Sequence, residues 1–377
     1  MENRKTPALC PLCDQPIALK GDSREHIIPN SIGGRLKIRG FICVGCNSRT
    51  GESWDAEIWK QFAQIAMMHG VERDRGEPPS IQIQTVDGNR YRLLPDGSMT
   101  IEHPKFSTQP HDNGMNINIA ARDAKEARRM ARQITDKHPQ LDLQTLLNGM
   151  TAVEEPLESP VTFSACFGGE LVGRSMVKTA VAMACALGID AHACDAAMPY
   201  LKFDTTTPLY TPFYLRDLVA HRPEYHAFNC VSVIGDPLRR TLISYLEYFS
   251  LWRVVVILSE KYEGQAVQGT YAFNPANGEP LDLQIDLALS DDELELIRKD
   301  KAISDENYKA AFERGFAAIY NRSQMRHWER ETHAAFHYAC ERLGIPKDGS
   351  IGPEQWQVFV ALMIERLGPF ISRMVRR

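Results

Sequence analysis

The sequence predicts an α+β fold in three parts, on three observations. Two Cys-x-x-Cys pairs, Cys10 with Cys13 and Cys43 with Cys46, bracket a small N-terminal module. Apolar runs of strand length at 228–234, 242–248, 254–258 and 270–273 read as a mostly antiparallel sheet. From Asp291 onward the apolar spacing is helical. The predicted boundaries are a cysteine-stapled module over 1–75, a β-meander plus helix connector over 76–155, and an α+β region over 156–377 that ends in helices.

Taken in order, residues 56–69 carry Ile58, Phe62, Ile65 and Ala66 on one side of a helix, which Gly70 and the run Arg75-Gly76-Glu77-Pro78-Pro79 bring to an end. A three-stranded meander follows over 81–86, 91–94 and 99–101, with turns at Asp87-Gly88-Asn89 and Pro95-Asp96-Gly97. Residues 103–114, rich in Pro, Ser, Thr and Asn, read as a loop or linker. A short strand at 117–120 and a helix over 124–135 come next; its Arg128, Arg129 and Arg132 form a charged face of the kind that is ordinarily solvated. The second globular region begins near Pro160 with a strand at 161–163 and a helix over 174–187 that stops at Gly188. Four C-terminal helices are predicted over 291–298, 306–320, 327–343 and 352–375, broken at Gly344-Ile345-Pro346.

Composition narrows the class. A chain of 377 residues can hold two or three domains with cores of their own, and 44% hydrophobic with 24% charged residues is ordinary for a soluble globular protein. There is no run of eighteen apolar residues, and the polar opening lacks a signal-peptide core, so the expectation is a cytoplasmic protein with no membrane insertion. Outside the two pairs, Cys166, Cys185, Cys194, Cys230 and Cys340 are scattered and odd in number. They read as buried thiols in a reducing compartment rather than a disulfide framework. A net charge of −5 argues against nucleic-acid binding over the whole surface. The distribution is uneven, however: residues 1–50 hold eight Lys and Arg against four Asp and Glu. Arg24, Arg35, Lys37, Arg39 and Arg49 make a local basic rim where phosphates would sit.

The four paired cysteines have the spacing of a tetrahedral zinc–thiolate site, with Zn–S bonds of about 2.3 Å. The 29 residues between the pairs exceed the usual zinc-ribbon spacing. That excess leaves room for a β-hairpin with chemistry of its own. It contains Glu25-His26-Ile27-Ile28-Pro29 and Gly33-Gly34, and Asn47 and Gly51 follow the second pair. This arrangement resembles the HNH endonucleases, the ββα-metal group, in the variant whose zinc knuckles flank the active hairpin. The resemblance covers roughly residues 8 to 60. It departs at the third signature position, which is Asn47 rather than His, and at the middle Asn, whose neighbourhood holds Ile38, Arg39 and Gly40 instead. In the family that middle Asn mostly holds the loop and the histidine in place.

Hydrolysing a phosphodiester requires a group that takes a proton from the attacking water and positive charge at the phosphate and the leaving oxygen. His26 is the candidate general base, since neutral imidazole can accept a proton near pH 7. Glu25 precedes it on an extended strand and so should point to the opposite side. The resemblance nevertheless implies that Glu25 and Asn47 hold a catalytic divalent metal, Mg²⁺ or Mn²⁺ by their oxygen chemistry, with Cys10, Cys13, Cys43 and Cys46 on a structural Zn²⁺. Asp55, just after Ser53, reads as decoration of a helix's first turn. The implied partner is DNA, cut to a 5′-phosphate and a 3′-hydroxyl. A single ββα site cuts one strand, so a monomer nicks and double-strand cleavage takes a dimer or two encounters.

Two further patterns are read as structural. Gly168-Gly169-Glu170-Leu171-Val172-Gly173-Arg174-Ser175 is shaped like a phosphate-binding loop but has Arg174 where that motif needs Lys. His333 and His337 share a helix face without the Glu of a zinc-protease motif. Three function classes follow: a metal-dependent DNA endonuclease whose region 156–377 controls targeting or activation, an inactive zinc-stabilised nucleic-acid-binding module, and a nuclease gated by a nucleotide. Proteins that pair such a module with an unrelated C-terminal region resemble effector nucleases of anti-phage defence, which implies a small-molecule or protein activator.

Overall fold

The computed structural model describes residues 8–111, 114–139, 141–150, 157, 159–207, 209–346 and 348–375. A one-turn helix, α1 (Ile17–Lys20), precedes strand β1 (Glu25–His26), which pairs antiparallel with β2 (Lys37–Ile38). Between them the chain makes a 3₁₀ turn, Asn30–Ile32, that ends on Gly33 at φ 92°. A Cβ on the next residue, Gly34, would collide with the Ile28 carbonyl. The Gly-Gly pair is therefore a steric requirement of the hairpin's return. Helix α2 (Val44–Thr50) runs through a π-helical turn, Gly51–Asp55, into α3 (Ala56–His69), where the 3.6-residue spacing predicts it.

The meander forms as β3 (Ile81–Gln84), β4 (Arg90–Leu93) and β5 (Met99–Ile101). Residues 103–114 depart from the predicted linker. Strand β6 (Lys105–His111) pairs with β7 (Gly114–Ala120) in a two-stranded ribbon, so the short predicted strand at 117–120 is half of a hairpin. Phe106, Ser107, Thr108 and Gln109 are exposed, and β6 lacks the period-2 apolar signal that Met115, Ile117 and Ile119 give to β7. Helices α4 (Ala124–Lys137) and α5 (Leu143–Asn148) follow, each capped by an aspartate that accepts from a backbone amide of the first turn: Asp123 from Glu126 and Asp142 from Thr145.

Val161 makes only an isolated bridge to Thr85 in place of the predicted strand. Helix α6 (Glu170–Ala186) starts four residues before its predicted boundary, directly after Gly169, and a short α7 (Ala197–Leu201) packs on it. Strands β8 (Tyr210–Pro212) and β9 (Val219–Ala220) lead into β10 (Asn229–Asp236), β11 (Thr241–Tyr248), β12 (Trp252–Ser259) and β13 (Val267–Phe273). The five-stranded sheet is fully antiparallel, in the order β13-β10-β11-β12-β8, while β9 pairs separately with β14 (Gln284–Ile285). Helices α8 (Asp291–Arg298), α9 (Asp305–Arg342) and α10 (Trp356–Val375) complete the chain.

Helix α9 is continuous where two helices over 306–320 and 327–343 are predicted. Asn321-Arg322-Ser323-Gln324-Met325-Arg326 breaks the apolar spacing without supplying Gly or Pro, and local backbone hydrogen bonds carry the helix through. Arg326 uses this stretch to donate to the carbonyls of Met67 (2.7 Å) and Pro95 (2.7 Å), tying α3 and the meander to α9. Among the five other cysteines Cys194 and Cys230 are buried as expected, but Cys166 is exposed on the extended segment before α6.

Side-chain alternation splits the sheet's burial between two clusters. Val231, Val233, Leu242, Leu246, Val254 and Val256 face α6 and join one core with Ile27, Ile28, Ile42, Ile58 and Phe62 of the N-terminal module. Cys230, Ile243, Tyr245, Val255 and Ile257 face the other way, toward α8. The N-terminal module therefore shares its largest core with the third predicted part. Helix α6 lies between the two, buried at every position from Val172 to Ala184. A helix with no exposed face must satisfy any polar group it carries, and this one carries Arg174, Ser175, Lys178 and Thr179.

Candidate active site and metal centre

Cys10, Cys13, Cys43 and Cys46 converge with their sulfurs within 4.8 Å of one another. Three of them are buried and Cys13 is half-buried. Four sulfurs on two short knuckles are a tetrahedral donor set positioned to bind a zinc ion. The second knuckle ends in α2, so a metal there would fix both the start of that helix and the return of the hairpin, where Asp22 bridges to Cys43. Lys202 of the third part clasps the first knuckle through Asp14, at 2.7 and 2.8 Å.

Beside the zinc knuckles lies a pocket of about 350 Å³ lined by residues of the N-terminal module, among them Glu25, His26, Asn30, Asn47, Asp55 and Trp59, together with Arg73 and Arg75. Glu25 and His26 both reach it. Simple alternation places them on opposite faces, but β1 is only two residues long, and Pro29 turns the chain at once into the 3₁₀ segment. Asn47 arrives from the middle of α2, which the Gly51–Asp55 turn joins to α3. π-helical turns of this kind recur at functional sites.

His26 is held by Asp74, whose carboxylate lies 3.1 Å from Nε2. A carboxylate only accepts, so the ring proton sits on Nε2 and Nδ1 keeps its lone pair. Burial pushes the imidazole below its ordinary range, more than Asp74 raises it, and the nearby Lys37 ammonium adds to the lowering. The ring is therefore neutral at pH 7. Asp74 itself is held down to about 2 by Lys37 and His26. The loop that brings Asp74 here is stapled by Asn30: its Oδ1 accepts from the backbone amide of Asp74 (2.9 Å) and its Nδ2 donates to the carbonyl of Arg75 (3.1 Å).

Glu25 is buried and meets a cation from α6. Lys178 donates to Glu25 Oε1 and to Asp55 Oδ2, both at 2.6 Å, and lies 3.5 Å from Thr50 Oγ1. Burial would strip the ammonium of its proton, but the two carboxylates outweigh it, and Lys178 is held above its ordinary range as a cation. Burial raises Glu25, and with two carboxylates sharing one ammonium Lys178 offsets this only in part. Ser175 Oγ donates to Asp55 Oδ1 at 2.6 Å. Asp55 thus has both oxygens engaged by α6. It is the anchor of the inter-element contact rather than the helix decoration its position predicts.

Of the predicted basic rim, none lines the pocket. Arg35 pairs with Glu72 (3.1 Å), Lys37 with Asp74 (2.5 Å) and Arg39 with Asp22 (3.6 Å). Arg49 turns back to Cys46 Sγ (3.5 Å), and Arg24 is exposed. The cations in the pocket wall are instead Arg73, stacked 4.3 Å over Trp59, and the exposed Arg75. No motif in the sequence marks Arg73, Asp74, Arg75 or Lys178 as part of the site. Arg73-Asp74-Arg75 is visible only as charge after a helix stop. Lys178 is the plainer signal, since a lysine inside Met176-Val177-Lys178-Thr179-Ala180-Val181 must find a partner once that helix is buried.

The glycine-rich stretch before α6 and the His333–His337 pair contribute no side chain to this pocket. Gly168 and Gly169 turn the chain into α6 at φ 115° and 86°. Arg174 is spent within the protein on Glu170 (2.6 Å) and on the carbonyl of Tyr200, between the rings of Tyr200 and Phe203. His333 and His337 meet at 3.1 Å on an exposed face of α9. Among the described residues no helix is long and apolar enough to cross a membrane.

No curated protein and no solved structure matches this chain. A family model described as HNH endonuclease matches residues 10–63, from the first zinc-knuckle cysteine to the middle of α3. With its four convergent cysteines and the short β1–β2 pair leading into α2, the N-terminal part of this chain is an HNH endonuclease domain.

Proposed function

We propose that the protein hydrolyses DNA phosphodiester bonds one strand at a time, with His26 as general base. The observation that supports it is the joint placement of a neutral, carboxylate-oriented imidazole, Glu25, Asn47 and two arginines around one pocket. His26 Nδ1 takes the proton of the attacking water, while Asp74 steadies the imidazolium that results. Glu25 and Asn47 fit a hard divalent ion. Glu25 keeps Oε2 unclaimed, and the Asn47 side-chain amide has no hydrogen-bond partner among the described residues. Held there, Mg²⁺ or Mn²⁺ would supply positive charge to the scissile phosphate and the leaving 3′ oxygen. Arg75, exposed at the pocket wall, binds a flanking phosphate, and Arg73 places its guanidinium inside the same wall. In this reading residues 1–75 form the catalytic unit, 76–155 a connector, and 156–377 the frame that controls targeting or activation, in keeping with a phage-defence effector in the cytoplasm.

Relaxation of supercoiled plasmid tests the activity. Wild type with Mg²⁺ or Mn²⁺ should give open circles bearing 5′-phosphate ends, added EDTA should give none, and His26→Ala should give them far more slowly. Failure of folded, zinc-loaded wild type to cut DNA under all these conditions would leave either a nuclease gated by its C-terminal region or a zinc-stabilised binding module in its place.

A further inference from the structure

We propose that Lys178 is a positioning residue of the metal site, so that the ligand set is completed by the third part of the chain. The inference rests on the assignment of Glu25 as a ligand and extends it across the fold. Lys178 is the only hydrogen-bond partner that the Glu25 carboxylate has among the described residues. Its ammonium approaches from the core side: Glu25 and Asp55 line the pocket, while Lys178 is 1% exposed and does not. One oxygen of Glu25 is thereby fixed from behind and the other is left to the pocket.

The same ammonium reaches the second ligand-bearing element. Thr50 Oγ1, 3.5 Å from Lys178 Nζ, donates to the Asn47 carbonyl at 3.2 Å. A single side chain of α6 therefore touches both the strand that carries Glu25 and the helix turn that carries Asn47. Its own placement is over-determined: Asp55 takes the third donor direction, and Ser175, one turn earlier on α6, holds the other oxygen of Asp55. Two carboxyl groups at the pocket, Glu25 and Asp55, thus face the single ammonium of Lys178 behind it, an excess of oxygen donors suited to a divalent cation. Partners that orient a metal ligand in this way typically control affinity by about 10- to 100-fold.

Binding of Mn²⁺ alone to the zinc-loaded full chain, followed by loss of the free-ion paramagnetic resonance signal, tests the proposal without reference to cutting. Lys178→Met, which keeps the length and removes the charge, should weaken Mn²⁺ by about 10- to 100-fold with zinc content and melting retained. Lys178→Arg should stay within a few-fold of wild type, since a merely packed side chain would gain nothing from a restored charge. Should the Met variant lose its zinc or its fold, Lys178→Gln decides. Its amide can still donate to Glu25 but lacks the charge, and its affinity should fall between those of wild type and Glu25→Gln. Unchanged or tighter Mn²⁺ binding in the folded Met or Gln variant would overturn the proposal, a tighter value meaning that the ammonium competes with the ion. Glu25→Gln separates the two readings: if it binds Mn²⁺ like wild type, the ligand assignment itself fails, whereas if it loses Mn²⁺ and the Lys178 variants do not, only the positioning role fails.

Discussion

Nε2 of His26 and the carboxylate of Asp74, 48 positions apart in sequence, meet at 3.1 Å beside the candidate active site. Asp74 supplies what the hairpin itself lacks. The middle signature residue expected to hold the histidine is missing near Ile38, and the loop after α3 brings a carboxylate to the ring instead. Removal of His26 should lower the nicking rate by about 10²- to 10⁴-fold, the usual contribution of a general base. Asp74→Ala should lower kcat by no more than His26→Ala does, with KM little changed. The double variant should be no slower than His26→Ala alone, because groups that act as one unit are not additive. Single-turnover nicking rates for the three variants check this, and fully additive losses would separate Asp74 from the base.

Zinc removal should be felt well beyond the knuckles. Cys10, Cys43 and Cys46 belong to the same core as Val231, Leu246 and Val254 of the sheet. Cys43→Ser should lose the metal and lower the melting temperature of the whole chain. Metal analysis alongside calorimetry reads both quantities, and an unchanged zinc content with an unchanged melt would refute the structural-metal assignment.

Arg75 is exposed, at the edge of the pocket. Arg75→Ala should raise KM for DNA while leaving kcat nearly intact. The slope of log affinity against log salt should become shallower by about one. A salt series on a catalytically blocked background measures it; an unaltered slope would remove Arg75 from the phosphate contacts.

The far face of the sheet carries a buried ion network. Glu247, 0% exposed, accepts from Arg222 at 2.7 and 2.9 Å, from Arg253 at 3.2 Å and from Tyr245 Oη at 2.6 Å. Burial alone would raise its pKa, but the Arg222 and Arg253 guanidiniums outweigh that and hold the carboxyl below its ordinary range. A depressed carboxylate stabilises the fold above its unfolded pKa, about 4.3 for Glu. That contribution is lost as the pH falls through the lower folded value. Glu247→Gln should therefore destabilise by about 3–5 kcal/mol at pH 7, and the difference from wild type should shrink in acid. Urea unfolding at pH 7 and near pH 3 compares the two; a pH-independent difference would count against the linkage.

Much of this architecture is legible in the sequence because it is local. The knuckle spacing, the Gly33-Gly34 return, the helix over 56–69 and the strands of the meander and main sheet each follow from a pattern within about ten residues. The residues that finish the pocket do not. Asp74 reaches His26 across 48 positions and Lys178 reaches Glu25 across 153, and no periodicity encodes such closures. The polar strand β6 and the unbroken α9 escape for a related reason. Their backbones are fixed by hydrogen bonding, while the apolar pattern that would announce them is weak.

The matched stretch ends at Ala63, yet the pocket and its support draw on Arg73, Asp74, Arg75 and Lys178. Whoever transplants this domain by its family borders would carry over the histidine and leave its carboxylate behind, together with the lysine under Glu25. What holds the pocket together is not the hairpin and its cysteines alone but the hairpin with the loop after α3 and the helix buried beneath it.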